Sequence, residues 1–288
     1  MAMNQLEPAT FISQTDPPRP PRETLPTMYD LPSEDPEEPG LPDIFHDFQP
    51  QLLRETFCPS HYSPEQFFIA RDLNLYYDVR HVNWHKRPDW FVVLGVSPLF
   101  EQNLRLSYVI WQEGIAPFLV MELLSPGTEK EDLGQTLRDI NQPPTKWEVY
   151  EQILRIPYYV VFSRYTNKFQ AFELVGNRYR ELSLPGERLW LSEIELGLGV
   201  WLGTYQGMER KWLRWYDTQN NWLPTASEQV TQEQQRAEQE RQRAEQERQR
   251  AEQERQRAEQ ERQRAEQEWR RAEQLAAQLR ALGVEPKL

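Results

Sequence analysis

The chain has 288 residues, a formal net charge of −12, a hydrophobic share of 38% and a mean hydropathy of −0.82. So acidic a balance excludes a generic nucleic-acid binder with a broad basic surface, but not an enzyme with a small basic patch. Cys58 is the only cysteine, which excludes an intrachain disulfide and a Cys-based zinc site.

Taken in chain order, residues 1–44 read as a proline-rich acidic flexible arm. The first 50 residues hold 11 of the 23 prolines, and ten acids against two arginines. "DPPRPPRETLP" can form neither helix nor central strand, because each proline removes a donor and restricts its predecessor. A polyproline partner motif is the alternative to a solvated leader. The start lacks the cationic and apolar segments of a secretory signal, and no apolar run approaches the roughly 18–20 residues that span a bilayer. The expectation is a soluble, cytoplasmic protein with no membrane partner.

A helix is predicted near "DFQPQLLRETF", with Asp47 as its cap. "FFIARDLNLYYDV" suits a short helix or a strand. From Asp89 the pattern turns to β, over "WFVVLGV" (90–96), "RLSYVIWQE" (105–113) and "PFLVMELLS" (117–125). An amphipathic helix follows at 145–154, a strand at 156–164, and a hairpin at 168–184 turning on Gly176-Asn177. Strands followed by a helix and another strand define an α/β (α+β) core over residues 45–185, with a mixed central sheet flanked by helices. Residues 186–225, with Trp201, Trp212, Trp215 and Trp222, read as a Trp-rich β extension rather than a base-stacking platform.

Residues 226–288 are a repeat. The unit "RAEQERQ" begins at Arg236, Arg243, Arg250 and Arg257, giving one alanine per heptad and i,i+4 pairs such as Arg236–Glu240. One apolar position per heptad is a thin seam for a coiled coil, so a long solvated helix and a homo-oligomer through 226–288 are equally expected.

Chemistry concentrates in the core. Glu122 interrupts the apolar run "PFLVMELLSP", and a buried carboxylate costs several kcal/mol unless paired, metal-bound or neutral. Asp89 stands at the mouth of an apolar strand that a shared sheet would bring beside Glu122. Two converging carboxylates suit a hard cation, Mg²⁺ with Mn²⁺ as the substitute. Lys146, opening a helix, is placed to supply positive charge near a scissile phosphate. An ion pair from Arg105 or Arg138 is the competing explanation for Glu122. Asp132 in "KEDLG" reads as a helix cap. His81 and His85 stand at i,i+4 but lack a third zinc ligand in order.

The Pro-Asp before a strand, "VMELLSPGT", the Asp of "KEDLG", "KWEVY" and "IPYYVVF" together resemble the Uma-two family of restriction endonucleases, a bacterial branch of the PD-(D/E)XK nucleases. The resemblance spans roughly residues 45–185. It implies a restriction-endonuclease-like fold and Mg²⁺-dependent endonuclease action on DNA, with Asp89 and Glu122 as metal ligands and Lys146 as the catalytic lysine. In the superfamily pattern a lysine stands two residues after the glutamate; here that residue is Leu124. Lys146 replaces it from a helix, with Lys130 as the rival, and Glu55 is a weak candidate for a further acid. The competing function class is an inactive nuclease-fold scaffold that recruits partners through its C-terminal helix.

Overall fold

The computed structural model describes residues 43–125, 129–136 and 142–282. The arm up to residue 42, the segment Pro126-Gly127-Thr128 and Arg138 lie outside them. Helix α1 (Ile44–Thr56) is followed by β1 (Phe67–Ala70), β2 (Leu75–Tyr76), β3 (His85–Lys86), β4 (Trp90–Leu94) and β5 (Tyr108–Val109). A short helix α2 (Ile110–Glu113) precedes β6 (Leu119–Leu124). Next come α3 (Glu129–Asp132) and α4 (Lys146–Glu148), the latter running on as a π-helical turn, Val149–Ile153. Strands β7 (Tyr158–Ser163), β8 (Phe169–Val175) and β9 (Arg178–Glu181) complete the first sheet. Then follow β10 (Arg188–Leu191), β11 (Leu196–Tyr205), β12 (Met208–Tyr216) and α5 (Ala226–Ala281).

The main sheet has the order β1-β4-β6-β7-β8-β9, and only β6 and β7 pair in parallel. This is a mixed α+β fold of the restriction-endonuclease-like kind. Strand β6 is buried at all six positions, which is why its sequence is a continuous apolar run rather than an alternation. Leu119, Met121 and Leu123 face one hydrophobic cluster, shared with α1 and the β10-β11-β12 sheet. Val120 and Leu124 face the other, shared with Val149 and Tyr150. Because side chains alternate, Glu122 belongs to this second face.

Helix α1 begins one turn earlier than its composition suggested. Asp43, not Asp47, is the cap, accepting from the amides of Phe45 and His46 at 2.8 and 3.2 Å. Gln49 fastens α1 to β12, donating to the Leu213 carbonyl and accepting from its amide, each at 2.8 Å. The expected strand 105–113 shrinks to Tyr108–Val109. Arg105 turns aside to pair with Glu113 and the Ser97 carbonyl, and α2 ends at Gly114 with φ +73. The 168–184 hairpin forms with its turn at Gly176-Asn177. Trp212 and Trp215 are fully buried in the extension, which removes them from any base-stacking role. No helix of the described residues is long and apolar enough to cross a membrane.

Helix α5 forms a compact unit separate from the preceding chain. Its heptads are exposed throughout, and Ala276 is its one buried residue among those described.

Candidate active site

Strand register brings the two acids together. Trp90 pairs with Met121, Phe91 with Val120 and Val92 with Leu119, so one further step of the antiparallel ladder sets Asp89 opposite Glu122. Directly opposed residues project to the same face. Asp89 Oδ2 accepts from the Leu123 amide at 2.6 Å, and the Asp89 amide approaches Glu122 Oε2 at 3.5 Å.

Helix α4 supplies the cover. Thr145 caps it in a reciprocal box with Glu148. Trp147 anchors it edge-on against Tyr159, Phe172 and Tyr179. The same indole lies over Gly134, where an added Cβ would fall 2.6 Å from the ring; only glycine lets α4 close over the end of α3. One helical turn apart, Lys146 and Tyr150 then reach the same carboxylate. Lys146 Nζ lies 3.1 Å from Glu122 Oε2, and Tyr150 donates to Oε1 at 2.8 Å.

Asp132 is no helix cap. It ends α3 almost wholly buried, with Lys146 Nζ 2.9 Å from its Oδ1. That contact is a close ion pair whose angle leaves Oδ1 without an aligned hydrogen bond. Tyr159 fixes the backbone there by donating to the Asp132 carbonyl at 2.8 Å. From the far side, His46 bridges Asp43 Oδ1 at 3.0 Å and the Leu123 carbonyl at 2.9 Å.

Three carboxylates therefore crowd one ammonium. Burial opposes charge on Lys146, but Glu122, Asp132 and Asp89 outweigh it and hold the ammonium well above the ordinary lysine value. Burial drives Glu122 well above the usual carboxylate range; Lys146 counteracts, while Asp89 and Asp132 add to the rise. Asp89 is also raised by burial, against the pull of Lys146 and His46. Lysine stays charged, and the crowding of acids around one ammonium favours proton uptake by the Asp89–Glu122 pair. Burial, Glu122 and the hydrogen bond to it keep the Tyr150 hydroxyl protonated, hence a donor.

This donor set fits a hard divalent cation. Asp89 and Glu122 are adjacent oxygen ligands with surplus negative charge, and Asp89 and Lys146, both half-buried, open the cluster to solvent. Among the described residues no three His, Cys, Asp or Glu side chains lie close enough to hold a metal. A cation at this place would thus have two side-chain ligands and complete its shell with water, a habit of Mg²⁺.

The competing assignments separate clearly. Arg105 is consumed by Glu113. Lys130 is exposed, and among the described residues makes no ion pair, so Lys146 is the lysine that meets Glu122. Glu55 accepts from Gln51 and Tyr205 instead of joining the acids. His81 pairs with Asp78 and stacks on Trp84, away from any zinc arrangement. Tyr150 and His46 escaped the sequence reading. The Lys146–Tyr150 spacing of four was the available signal for the first; His46 carried none.

The fold is thus mixed α+β, with Asp89 at the start of β4 opposite Glu122 within β6 and a lysine delivered to Glu122 from a helix. The family model described as "Uma2: Putative restriction endonuclease" matches residues 24–204, more than half of the chain, and the chain belongs to that family. The matched span contains Asp89, Glu122, Asp132, Lys146 and Tyr150. No curated protein matches the chain.

Proposed function

We propose that the protein is a metal-dependent endonuclease of the PD-(D/E)XK type that hydrolyses DNA phosphodiester bonds, with Asp89, Glu122 and Lys146 as its site. The observation that carries this reading is the meeting of Asp89 and Glu122 across the β4–β6 ladder with Lys146 Nζ 3.1 Å from Glu122. Asp89 and Glu122 would hold Mg²⁺ or Mn²⁺, which supplies Lewis acidity and a water of lowered pKa. Tyr150 and the Leu123 amide fix the two carboxylates in place, so little reorganisation precedes reaction. Lys146 replaces the lysine absent at Leu124 and brings a positive charge toward the phosphoryl oxygens, while Asp132, 2.9 Å from its Nζ, holds the ammonium in position. Water adds to phosphorus, one P–O ester bond breaks, and the leaving oxygen takes up a proton.

The family membership and the balance of three acids against one lysine support this reading over an inactive scaffold. Helix α5, 56 residues and about 84 Å long at 1.5 Å per residue, would set the spacing or pairing of two catalytic units in a homo-oligomer. The absence of disulfide chemistry in a one-cysteine chain suits the cytoplasm.

Plasmid nicking in Mg²⁺ tests the assignment. Wild type should convert supercoiled to open-circular DNA, and Glu122→Gln or Asp89→Asn should fall to the EDTA background while still folding. Variants that nick at the wild-type rate would remove both residues from the site. A folded wild type that never nicks in Mg²⁺ or Mn²⁺ would favour the scaffold.

A further inference from the structure

A second cluster of charge lies at the same end of the sheet as Glu122 and takes no part in the acid cluster. Leu124 pairs with Ser163 in the parallel β6–β7 ladder, so Arg164 leaves the sheet beside the C-terminal end of β6. Arg210 reaches it from β12, donating from Nη2 to the Arg164 carbonyl at 3.0 Å. Its guanidinium lies over the Phe45 ring at 4.3 Å, which holds it against α1. Arg164 is held by Asp43 at 2.5 Å and by the Tyr165 hydroxyl at 2.6 Å, both through Nη2.

The charges here do not balance. One carboxylate, Asp43, serves Arg164 and His46, and Arg210 has only carbonyl partners, the second being Lys211 at 3.4 Å. Neither arginine has a partner for its Nη1 group among the described residues, and Arg164 Nε is also unpaired. Burial and, after it, the proximity of Arg164 lower the pKa of Arg210, against the pull of Asp43. In a chain of net charge −12 such a local excess is an exception. His46 connects the cluster to the site through the Leu123 carbonyl, one residue from Glu122. The amides of Phe45 and His46 are already taken by Asp43, so the free donors are the guanidinium groups themselves.

We infer that Arg164 and Arg210 form a phosphate clamp on the α1 face of the sheet, at the end where Asp89 and Glu122 lie on the other face, and that it holds the backbone of the substrate strand as it passes this end. Planar guanidiniums match phosphate oxygens, and a contact to backbone phosphate fixes register without reading sequence. Arg210 lies beyond the family-matched span 24–204, so the Trp-rich extension gains a role as the arm that delivers one half of the clamp. The identity of the ligand as nucleic acid rests on the nuclease reading.

The test is binding without cleavage. A fluorescein-labelled duplex of about 20 bp is titrated with full-length protein in EDTA between about 50 and 200 mM salt. Wild type, Arg164→Gln, Arg210→Gln and Arg178→Gln are compared, the last altering the opposite end of the sheet. Arg164→Gln and Arg210→Gln should each weaken binding about tenfold for any duplex sequence and lower the slope of log K against log salt by about one. Arg178→Gln should match wild type. Thermal unfolding checks integrity; Arg164 also ties down Asp43, so Arg210→Gln, which breaks carbonyl and ring contacts but no ion pair, decides if Arg164→Gln unfolds. Unchanged affinity and slope, or no binding by wild type, would overturn the clamp. Nicking run on the same proteins separates the two readings. Normal nicking with undisturbed binding removes the clamp alone, whereas clamp-dependent binding without nicking removes the hydrolase alone.

Discussion

Glu122 and Glu266 are both glutamates beside a single basic side chain, Lys146 Nζ at 3.1 Å in one case and Arg270 Nη2 at 2.7 Å in the other. By distance the helix pair is the stronger. By setting it is the weaker, because Glu122 is 0% exposed and Glu266 57%. Water screens the helix pair and holding two long side chains costs entropy, so such pairs contribute almost nothing. Glu122 itself is shut away from water, with only the partly exposed Asp89 and Lys146 beside it reaching solvent, so each charge depends on the others. The lesson is that charge density in a sequence says little until burial is known.

The sharpest way to break the comparison is Lys146→Met. It leaves Glu122 and Asp132 buried without their cation, an imbalance that costs about 3–5 kcal/mol where one partner of a buried pair is removed. Urea unfolding near pH 8 should show that loss. The loss should shrink near pH 5, where the acids can take up protons instead. A change below about 1 kcal/mol at pH 8 would place Glu122 in the same weak class as Glu266.

Next in size is the pH response of the metal-free protein. Glu122 and Asp89 have folded pKa values raised above 4.5 and 3.8, and His46 is raised above 6.5. For a group raised on folding, the stabilisation is complete below its unfolded pKa and disappears as pH climbs through the folded one. Stability should therefore decline from weakly acidic toward alkaline pH, and Glu122→Gln should flatten the decline. Added Mg²⁺ should raise the melting temperature more at pH 8.5 than at pH 6, since cation and proton compete for the same oxygens. A melting temperature that rises with pH in EDTA would contradict the buried cluster.

Much of this was legible in the sequence for a definite reason. Glu122 stood out because a carboxylate inside an otherwise apolar, fully buried strand violates the pattern of that strand, and Asp89 because it stands at the mouth of an apolar strand that a shared sheet would bring beside Glu122. The helix of Lys146 was visible as a period. What sequence could not report were contacts made by one atom of an otherwise ordinary residue. Tyr150 has the spacing of a core aromatic, and only its hydroxyl serves Glu122. Asp132 has the composition of a cap, and its long-range partner depends on Gly134 letting Trp147 close over it. Strand 105–113 failed for the same reason, since Arg105 had a specific partner in Glu113 that no alternation encodes.

The smallest effect belongs to the exposed member of the pair. Arg270→Gln removes the 2.7 Å contact to Glu266 on a helix whose heptads are solvated all round. Pairs at i,i+4 contribute about 0.2–0.5 kcal/mol to an isolated helix, and salt weakens them further. Helical ellipticity should therefore change by no more than the scatter between preparations at about 0.15 M salt. In the same helix Ala251→Gly should cost about 1 kcal/mol through backbone entropy alone, with no charge touched. If Arg270→Gln instead proves the costlier, its guanidinium is not solvated in solution. Sedimentation at two protein concentrations would then show whether a second α5 covers it, because only a partner chain makes that contribution depend on concentration.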